Sequence, residues 1–162
     1  MPSTTGNFSS VELLGHEEAC KFEVIDDAIA QAIGERFVEV CLKREHPVTI
    51  VVQLNGAEVF NKALPGADDE QISWINRKAR VVNLTHHSTM YERVSAEEMG
   101  IDWHAKHGVE DETHAIHGGG FPLVTTAGEF KGVVLVSGLP QVEDHMLVYE
   151  ILAALKHELT QG

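Results

Sequence analysis

The sequence predicts an α+β domain in which helices cover one antiparallel sheet. Three observations support this fold class. Two pairs of apolar, β-branched segments each flank a turn signal, amphipathic helical segments lie before, between and after these pairs, and no part of the chain alternates strand and helix as a parallel sheet requires. The 162 residues suffice for one domain that buries its own core.

The N-terminal part of the chain is predicted to hold a disordered segment and then a helix. Residues 1–10, MPSTTGNFSS, are small and polar and are expected to be disordered, so that one domain spans residues 11–162. Asp26 suits the N-cap of the first helix, and His46-Pro47 ends it because the residue before a proline avoids helical geometry. The buried face of this helix is marked at helical spacing by Ile29, Ile33, Phe37 and Val40 or Cys41.

A first hairpin and a second helix follow. VTIVVQL, residues 48–54, has the β-branched composition of a buried strand, and AEVFNKA, residues 57–63, is its predicted partner. Asn55-Gly56 between them is a strong hairpin signal. After a loop, Asp68 or Asp69 caps a helix that is predicted to run to about Leu84.

The C-terminal half is predicted to hold a second hairpin and a long helix. Residues 85–112 yield only a short helix near 96–99. FPLVTT and EFKGVVLVSG, on either side of the turn Ala127-Gly128, form the hairpin. The last helix starts near Val142 and is predicted to bury Val148, Ile151, Leu152, Leu155 and Leu159. The order helix, hairpin, helix, hairpin, helix fits a profilin-like or PAS-like sheet best.

The charge balance and the cysteines limit the partners and the compartment. With 25 acidic and 12 basic residues, a formal charge of −13 argues against nucleic acid and against anionic membrane surfaces. No apolar run approaches the length of a membrane span, and the N-terminus lacks a basic region followed by an apolar one, so no secretion signal is expected. Cys20 and Cys41 are expected to be reduced, which favours a cytoplasmic protein.

The motif His117-Gly118-Gly119-Gly120 raises the first functional question. An HGGG loop forms the oxyanion hole of lipases and esterases, but those enzymes also need a serine in the pattern G-x-S-x-G. No serine of this chain is framed in that way, and no parallel sheet is predicted. A serine hydrolase is therefore improbable.

Two other uses of the histidines remain open. His104 with His107, and His114 with His117, have spacings that suit a shared metal ion, although ten histidines give such pairs by chance. Haem iron also takes an axial histidine, and its propionates need cations such as those of INRKAR, residues 75–80. INRKAR is more simply explained as the solvated face of a helix. No metal site is assigned with confidence.

The three glycines have a structural and a functional interpretation. They permit positive φ angles and close backbone approach before Pro122 fixes the entry to a strand, and this structural use is favoured. Their backbone N–H groups beside His117 also suit a bound carboxylate or carbonyl. Both interpretations remain open at the level of the sequence.

Several separated motifs together resemble one family. They are FNKALPGADDEQISWINRKARVV, HHST, HGGGFP and VSGLPQVEDHMLV, and the resemblance runs from about Asp26 to Leu159, which is most of the chain. The chain thereby resembles the haem-degrading-domain family of HbpS-like and GlcG-like proteins, and within it a largely uncharacterised branch. The motif positions are occupied by Trp74, Arg77, Lys78, Ser88, His117, Gly118, Gly119, Phe121, Pro122, Ser137, Gly138, Asp144 and His145.

The resemblance implies a fold and a kind of site. It implies a five-stranded antiparallel sheet flanked by helices, in two or three layers, and a stable homo-oligomer. It also implies a ligand pocket, for which the expected residues are Lys78, Ser88, His117, Gly118, Gly119, Gly120 and Phe121. Haem is the cofactor that the family suggests, and glycolate- and diol-related operons contain other members.

Three hypotheses about function follow. The first is a cytoplasmic, oligomeric protein that binds a small ligand, with haem as a candidate. The second is an enzyme acting on a small carboxylate or a diol-derived metabolite, with His117 or His145 as general acid or base. The third is a scaffold in which the glycines and the motif Asp144-His145 build an oligomer interface. The predicted partners are a second copy of the chain and a small molecule.

Overall fold

The computed structural model describes residues 6–161 and contains one four-stranded antiparallel sheet in the order β2-β1-β4-β3. The strands are β1 (Thr49–Leu54), β2 (Ala57–Ala63), β3 (Gly120–Val124) and β4 (Phe130–Ser137). The helices are α1 (Ser10–Ala19), α2 (Asp27–Lys43), α3 (Glu70–Thr85), α4 (Thr89–Met99), α5 (Trp103–His107) and α6 (Gln141–Gln161). The predicted α+β class with an antiparallel sheet flanked by helices is confirmed.

The expectation of five strands is wrong, because the described residues form four. The two hairpins supply two strands each, and the connector between α1 and α2 makes only an isolated bridge between Phe22 and Thr125. There the Phe22 N–H donates to the Val124 carbonyl at 3.3 Å, and the Thr126 N–H donates to the Phe22 carbonyl at 3.0 Å. The connector then turns into α2 at Asp26, so the pairing stops after one residue.

Side chains on the two faces of the sheet pack against different helices. One face joins the main apolar core with α2 and α6, and its sheet residues include Ile50, Val52, Val134 and Val136. The other face packs on α3 through Val51, Val133 and Leu135. Because strand residues alternate between faces, neighbouring valines in β1 and β4 serve opposite layers. The domain therefore has three layers.

The predicted element boundaries are close to those observed where a cap or turn specifies them. The Asp26 carboxylate accepts a hydrogen bond from the Ile29 N–H at 2.9 Å and starts α2. Asn55 and Gly56 have φ angles of 52° and 80°, as a tight hairpin turn between β1 and β2 requires. In α6 the predicted buried face ends at Leu155, since Leu159 is 48% exposed.

Two regions are more helical than the sequence analysis expects. Ser9 and Glu12 form a capping box, so α1 begins inside the segment assigned to a disordered N-terminus; residues 1–5 lie outside the described part of the chain. Ser88 caps α4, which extends the short helix expected near 96–99 back to Thr89. Asp102 caps the short α5, which was not predicted.

Candidate functional site

A cleft of about 390 Å³ lies where the first turn of α3, the loop after β4 and the first turn of α6 meet. His117, from the loop that enters β3, closes one side of it. The lining residues are Asp68, Glu70, Gln71, Trp74, Lys78, His117, Ser137, Gly138, Leu139, Pro140, Gln141 and Asp144. A concave site with few convergent polar groups is where a small ligand is expected to bind.

A buried ion pair forms the base of the cleft. The Lys78 Nζ lies 3.4 Å from the Asp144 Oδ2, and both side chains are almost completely removed from water. Lys78 comes from the middle of α3 and Asp144 from the first turn of α6, so the pair joins helices on different layers. Burial lowers the pKa of Lys78 and raises the pKa of Asp144 to about 6, each against the opposing charge of its partner.

The same pair holds the loop after β4 in place. The Lys78 ammonium donates to the Val136 carbonyl at 2.9 Å, and the Asp144 carboxylate accepts from the Leu139 N–H at 3.2 Å. Gln71 adds a further tie at the start of α3, because its amide donates to the Pro47 carbonyl and accepts from the Thr49 hydroxyl. Polar contacts within the chain therefore fix the positions of the groups at the base of the cleft.

His117 is the half-buried imidazole of the cleft. Its ring lies 4.7 Å from the Trp74 ring in an edge-to-face arrangement. Burial lowers the pKa of His117, and the positive charges of Arg93 and Lys78 add to this effect. The ring is therefore neutral at physiological pH, as a proton acceptor or an iron ligand must be.

Trp74 forms one wall of the cleft, and Arg77, which does not line the cleft, packs against the Trp74 ring. The Arg77 guanidinium stacks 4.3 Å from the Trp74 ring and is held by Asp111, whose carboxylate lies 2.8 Å from the guanidinium. At the mouth, Asp68 and Glu70 are exposed, and neither belongs to an ion pair within residues 6–161. The mouth is accordingly acidic, whereas the ionic pair at the base is balanced.

The glycine loop packs against the base of the cleft. A Cβ atom on Gly118 would lie 2.1 Å from the Gln141 carbonyl oxygen, and one on Gly119 would lie 2.4 Å from the Val136 carbonyl oxygen and 2.8 Å from the Lys78 Nζ. Two of the N–H groups already have acceptors within the chain: Gly118 donates to Gln141 and Gly120 donates to Thr89. Close approach is thus one physical requirement for glycine here.

The structure brings only some of the expected site residues to the cleft. Lys78 and His117 line it, and Gly118, Gly119 and Gly120 are buried directly behind them. The side chains that lie elsewhere are Ser88, which caps α4; Phe121, which packs in the main core; and His145, which faces α1. Phe121 points away because successive residues of β3 alternate between faces.

His145 and Asp144 point to opposite sides of α6. The His145 Nε2 lies 3.0 Å from the His16 Nδ1 of α1, whereas Asp144 reaches the cleft. Asp144 does not orient His145, since neighbours on a helix do not face each other. His145 therefore has no contact with the cleft.

The remaining histidines do not assemble a metal site within residues 6–161. Three of these histidines, His104, His107 and His114, lie around Trp103. One ring nitrogen of each makes a hydrogen bond to a nearby oxygen atom of the chain.

The interpretation of INRKAR as a solvated face is wrong for Lys78, which is 2% exposed. No helix in the described range is long and apolar enough to cross a membrane.

Sequence reasoning missed Asp144 as the partner of Lys78, and it missed Gln71, Trp74 and Gln141 as wall residues. The one signal in the sequence was that Trp74 and Asp144 occupy motif positions of the family that the chain resembles. Lys78 and Asp144 are 66 positions apart, so no local periodicity connects them.

The chain folds into a three-layer α+β domain with a cleft at one end of its sheet. The chain belongs to the HbpS-like family of haem-degrading proteins, whose profile matches residues 25–153. The UPF0303 protein of Acidobacterium capsulatum is 37% identical over 139 residues, which are 86% of this chain and 84% of that protein. The UPF0303 protein SCO2848 of Streptomyces coelicolor is 36% identical over 141 residues, covering 87% and 89% of the two chains.

Solved structures share the fold at low sequence identity. The Ybr137w protein superposes with a TM-score of 0.84 at 23% identity, covering 92% of this chain and 88% of its own. A PduOC:haem complex gives 0.68 at 18% identity, with 81% and 94% covered. A double mutant of HbpS from Streptomyces reticuli gives 0.62 at 19% identity, with 81% and 86% covered. At these identities the likeness establishes the fold alone.

Proposed function

We propose that the protein binds a small molecule in the cleft above the Lys78–Asp144 pair and that His117 makes the ligand-specific contact. The observation that carries this proposal is the neutral, half-buried imidazole of His117 over a base whose polar groups are already fixed. A preorganised site of this kind loses little entropy when it binds a ligand. The protein is further proposed to be cytoplasmic and to form homo-oligomers.

Haem is the ligand to test first, because relatives of the same fold include a haem complex and HbpS. His117 fits the iron, since a neutral imidazole facing a cleft is a common axial ligand. The propionates fit less well. The charge of Lys78 is offset by Asp144, and Asp68 and Glu70 place two carboxylates at the mouth. His117 would hold the iron of a haem bound here, and the iron would supply any redox chemistry.

A haem titration followed by Soret absorbance tests this proposal. We expect saturable binding that His117→Ala abolishes and that Glu70→Gln strengthens, because the substitution removes one mouth carboxylate without touching the base. His157→Ala, on the exposed end of α6, is the matched control. A shift that persists in His117→Ala would place haem elsewhere and reject this site for it.

A second candidate is an enzyme acting on a small hydroxyl- or carboxylate-bearing metabolite. Near His117, burial lowers the pKa of Lys78 and raises the pKa of Asp144 to about 6, so both values move toward pH 7. Ionisable groups with shifted pKa values recur in sites of proton transfer. Glycolate and propane-1,2-diol are suitable probes, with binding followed by calorimetry and turnover by proton NMR. His117→Gln should retain binding but abolish turnover if His117 moves a proton.

The scaffold hypothesis makes a different prediction for the same residue. If the glycine loop only builds an oligomer interface, His117→Ala should change the mass of the assembly measured by light scattering. If the cleft is a ligand site, the variant should lose ligand while the mass stays constant.

A further inference from the structure

The N-terminal helix α1 is held to the domain by polar side-chain contacts and by one buried apolar residue, Leu13, which packs with Met90 and Val94 of α4. Leu13 is its one fully buried residue, whereas Val11 is 76% exposed and Leu14 is 41% exposed. A helix of this length is marginally stable by itself. The matched family region starts at residue 25, so α1 lies outside it.

Two carboxylates anchor α1 at its ends. The Glu98 carboxylate of α4 accepts from the Ser10 N–H at 2.8 Å and from the Ser10 hydroxyl at 2.6 Å. Near the other end, the Glu17 carboxylate of α1 lies 2.9 Å from the His87 Nδ1 and accepts from the Ser88 N–H at 3.1 Å. These contacts hold the helix at the surface without burying much of it.

Between the two anchors, α1 places His16 in an aromatic slot. The His16 ring stacks on the Tyr149 ring with centroids 3.9 Å apart and planes 11° apart. It also stacks on the His145 ring at 5.3 Å, and the Phe8 ring meets it edge-on at 5.6 Å. A planar ring with a polar edge therefore fills a space whose walls are themselves aromatic.

The far end of this slot carries an unsatisfied polar atom. His145 is 1% exposed; its Nε2 meets the His16 Nδ1 at 3.0 Å, and its Nδ1 has no hydrogen-bond partner among the described residues. A buried polar atom without a partner costs free energy, and native proteins keep few of them. The His145 atom that faces the slot is Nε2, so a second nitrogen heterocycle in the place of His16 would make the hydrogen bond that His16 makes now.

We propose that α1 is a displaceable cover over a second binding site, in which His16 holds the place of a planar nitrogen heterocycle that stacks on Tyr149 and hydrogen-bonds to His145. The site lies on the α1 side of α6 and does not involve the cleft of Lys78 and His117. Opening needs local detachment of α1 and loss of the packing of Leu13 on Met90 and Val94, while the main core under α2, α3 and α6 stays intact.

Opening can be measured on the full chain by hydrogen exchange. We expect the amides of α1 to exchange faster than those of α2, and Glu17→Gln to accelerate exchange in α1 alone, because it weakens the anchor to His87 and Ser88. Glu23→Gln is the matched control, since Glu23 is an exposed carboxylate in the connector and makes none of these contacts. Equal protection of α1 and α2 in the Glu17→Gln variant would overturn the cover.

Ligand binding is tested with imidazole and 4-phenylimidazole by calorimetry. Removal of the internal competitor in His16→Gly should give saturable one-to-one binding of imidazole, roughly tenfold tighter than in the unmodified chain. For 4-phenylimidazole, Glu17→Gln should bind roughly fivefold tighter than the unmodified chain, because it favours the open state without touching the slot. Glu23→Gln and His117→Ala should leave both affinities unchanged, which separates this site from the cleft.

The recognition residues are tested in the His16→Gly background. His145→Phe keeps a planar ring but removes both nitrogens, and it should abolish imidazole binding. Tyr149→Leu removes the stacking face and gives a second test if the first variant does not fold, with circular dichroism as the check. The proposal fails if folded His16→Gly protein shows no saturable imidazole binding, or if Glu17→Gln leaves the affinity for 4-phenylimidazole unchanged.

Discussion

Asp144 and His145 are adjacent in sequence and buried to the same extent, yet they lie in opposite kinds of environment. Asp144 has an ammonium partner and a backbone donor, whereas His145 meets one imidazole, and its other nitrogen has no partner within residues 6–161. The cleft side of α6 is therefore a satisfied ionic network, and the α1 side is an aromatic slot with one unsatisfied atom. A single helix thus separates two sites with different physical chemistry.

The largest expected effect on stability comes from removing one partner of the Lys78–Asp144 ion pair on the cleft side of α6. Lys78→Met leaves the Asp144 carboxylate buried without its ammonium, which should lower the free energy of unfolding by about 3–5 kcal/mol. Urea denaturation measures this change. The double variant with Asp144→Asn should recover part of the loss, because the amide still accepts from the Leu139 N–H without a buried charge. A double variant whose loss of stability equals the sum of the losses of Lys78→Met and Asp144→Asn alone would mean that the pair is not energetically coupled.

The second prediction concerns the contact between the glycine loop and this pair. Gly119→Ala adds a Cβ within 2.4 Å of the Val136 carbonyl oxygen at a φ of +122°, which should cost roughly 2–4 kcal/mol through strain and displacement of the loop. Gly128→Ala is the control, because its φ is +93° but its Cβ would contact nothing within 4 Å. Thermal unfolding of both variants separates the contact from the backbone strain. Equal losses would remove the close approach as the reason for glycine.

Local capping signals allow much of the fold to be predicted, and long-range pairing explains most of what is missed. Asp26 and Asn55-Gly56 specify α2 and the first hairpin through contacts a few residues long. The capping box of Ser9 and Glu12 was also present in the sequence, but the polar composition around it suggested disorder. The fifth strand came from the family resemblance, and the connector at Phe22 is too short to form it.

The candidate site was predictable in part for the same reason. His117 and Lys78 were singled out from motifs, and both reach the cleft. Ser88 was assigned to the pocket, but its hydroxyl accepts the Tyr91 N–H and caps α4. A motif position records that a residue type is needed and does not say whether a ligand or a backbone group needs it. The burial of Lys78 beside Asp144, a carboxylate far away in the sequence, depends on tertiary packing alone.

The third prediction uses pH, because the two sides of α6 respond with opposite sign. Burial lowers the pKa of His145 to about 3, so the folded state binds fewer protons there than the unfolded state and stability falls as pH drops from 6.5 toward 3. Burial raises the pKa of Asp144 from 3.8 to about 6, so this group favours the folded state as pH falls through 6. Each slope is at most about 1.4 kcal/mol per pH unit.

Single variants separate these two slopes between pH 6.5 and 4. His145→Phe should reduce the loss of stability with falling pH, because it removes the imidazole that must stay neutral in the folded state. Asp144→Asn should increase that loss, because it removes the carboxylate that gains a proton in the folded state. Urea midpoints at a series of pH values measure both. The same change of slope in both variants would show that the two residues titrate as one group and not as two separate sites.

The smallest expected effect lies at Thr89, the residue that connects the two sides. Thr89 begins α4 next to the anchor of α1, and its hydroxyl accepts from the Gly120 N–H at 3.1 Å behind the cleft. Thr89→Val removes this acceptor at nearly constant volume and should cost about 1 kcal/mol, because the buried N–H loses its partner. Thr89→Ser keeps the hydroxyl and should cost less. If Thr89→Val also accelerates hydrogen exchange in α1, the cover and the glycine loop are mechanically linked; if exchange is unchanged, the two sides of α6 act independently.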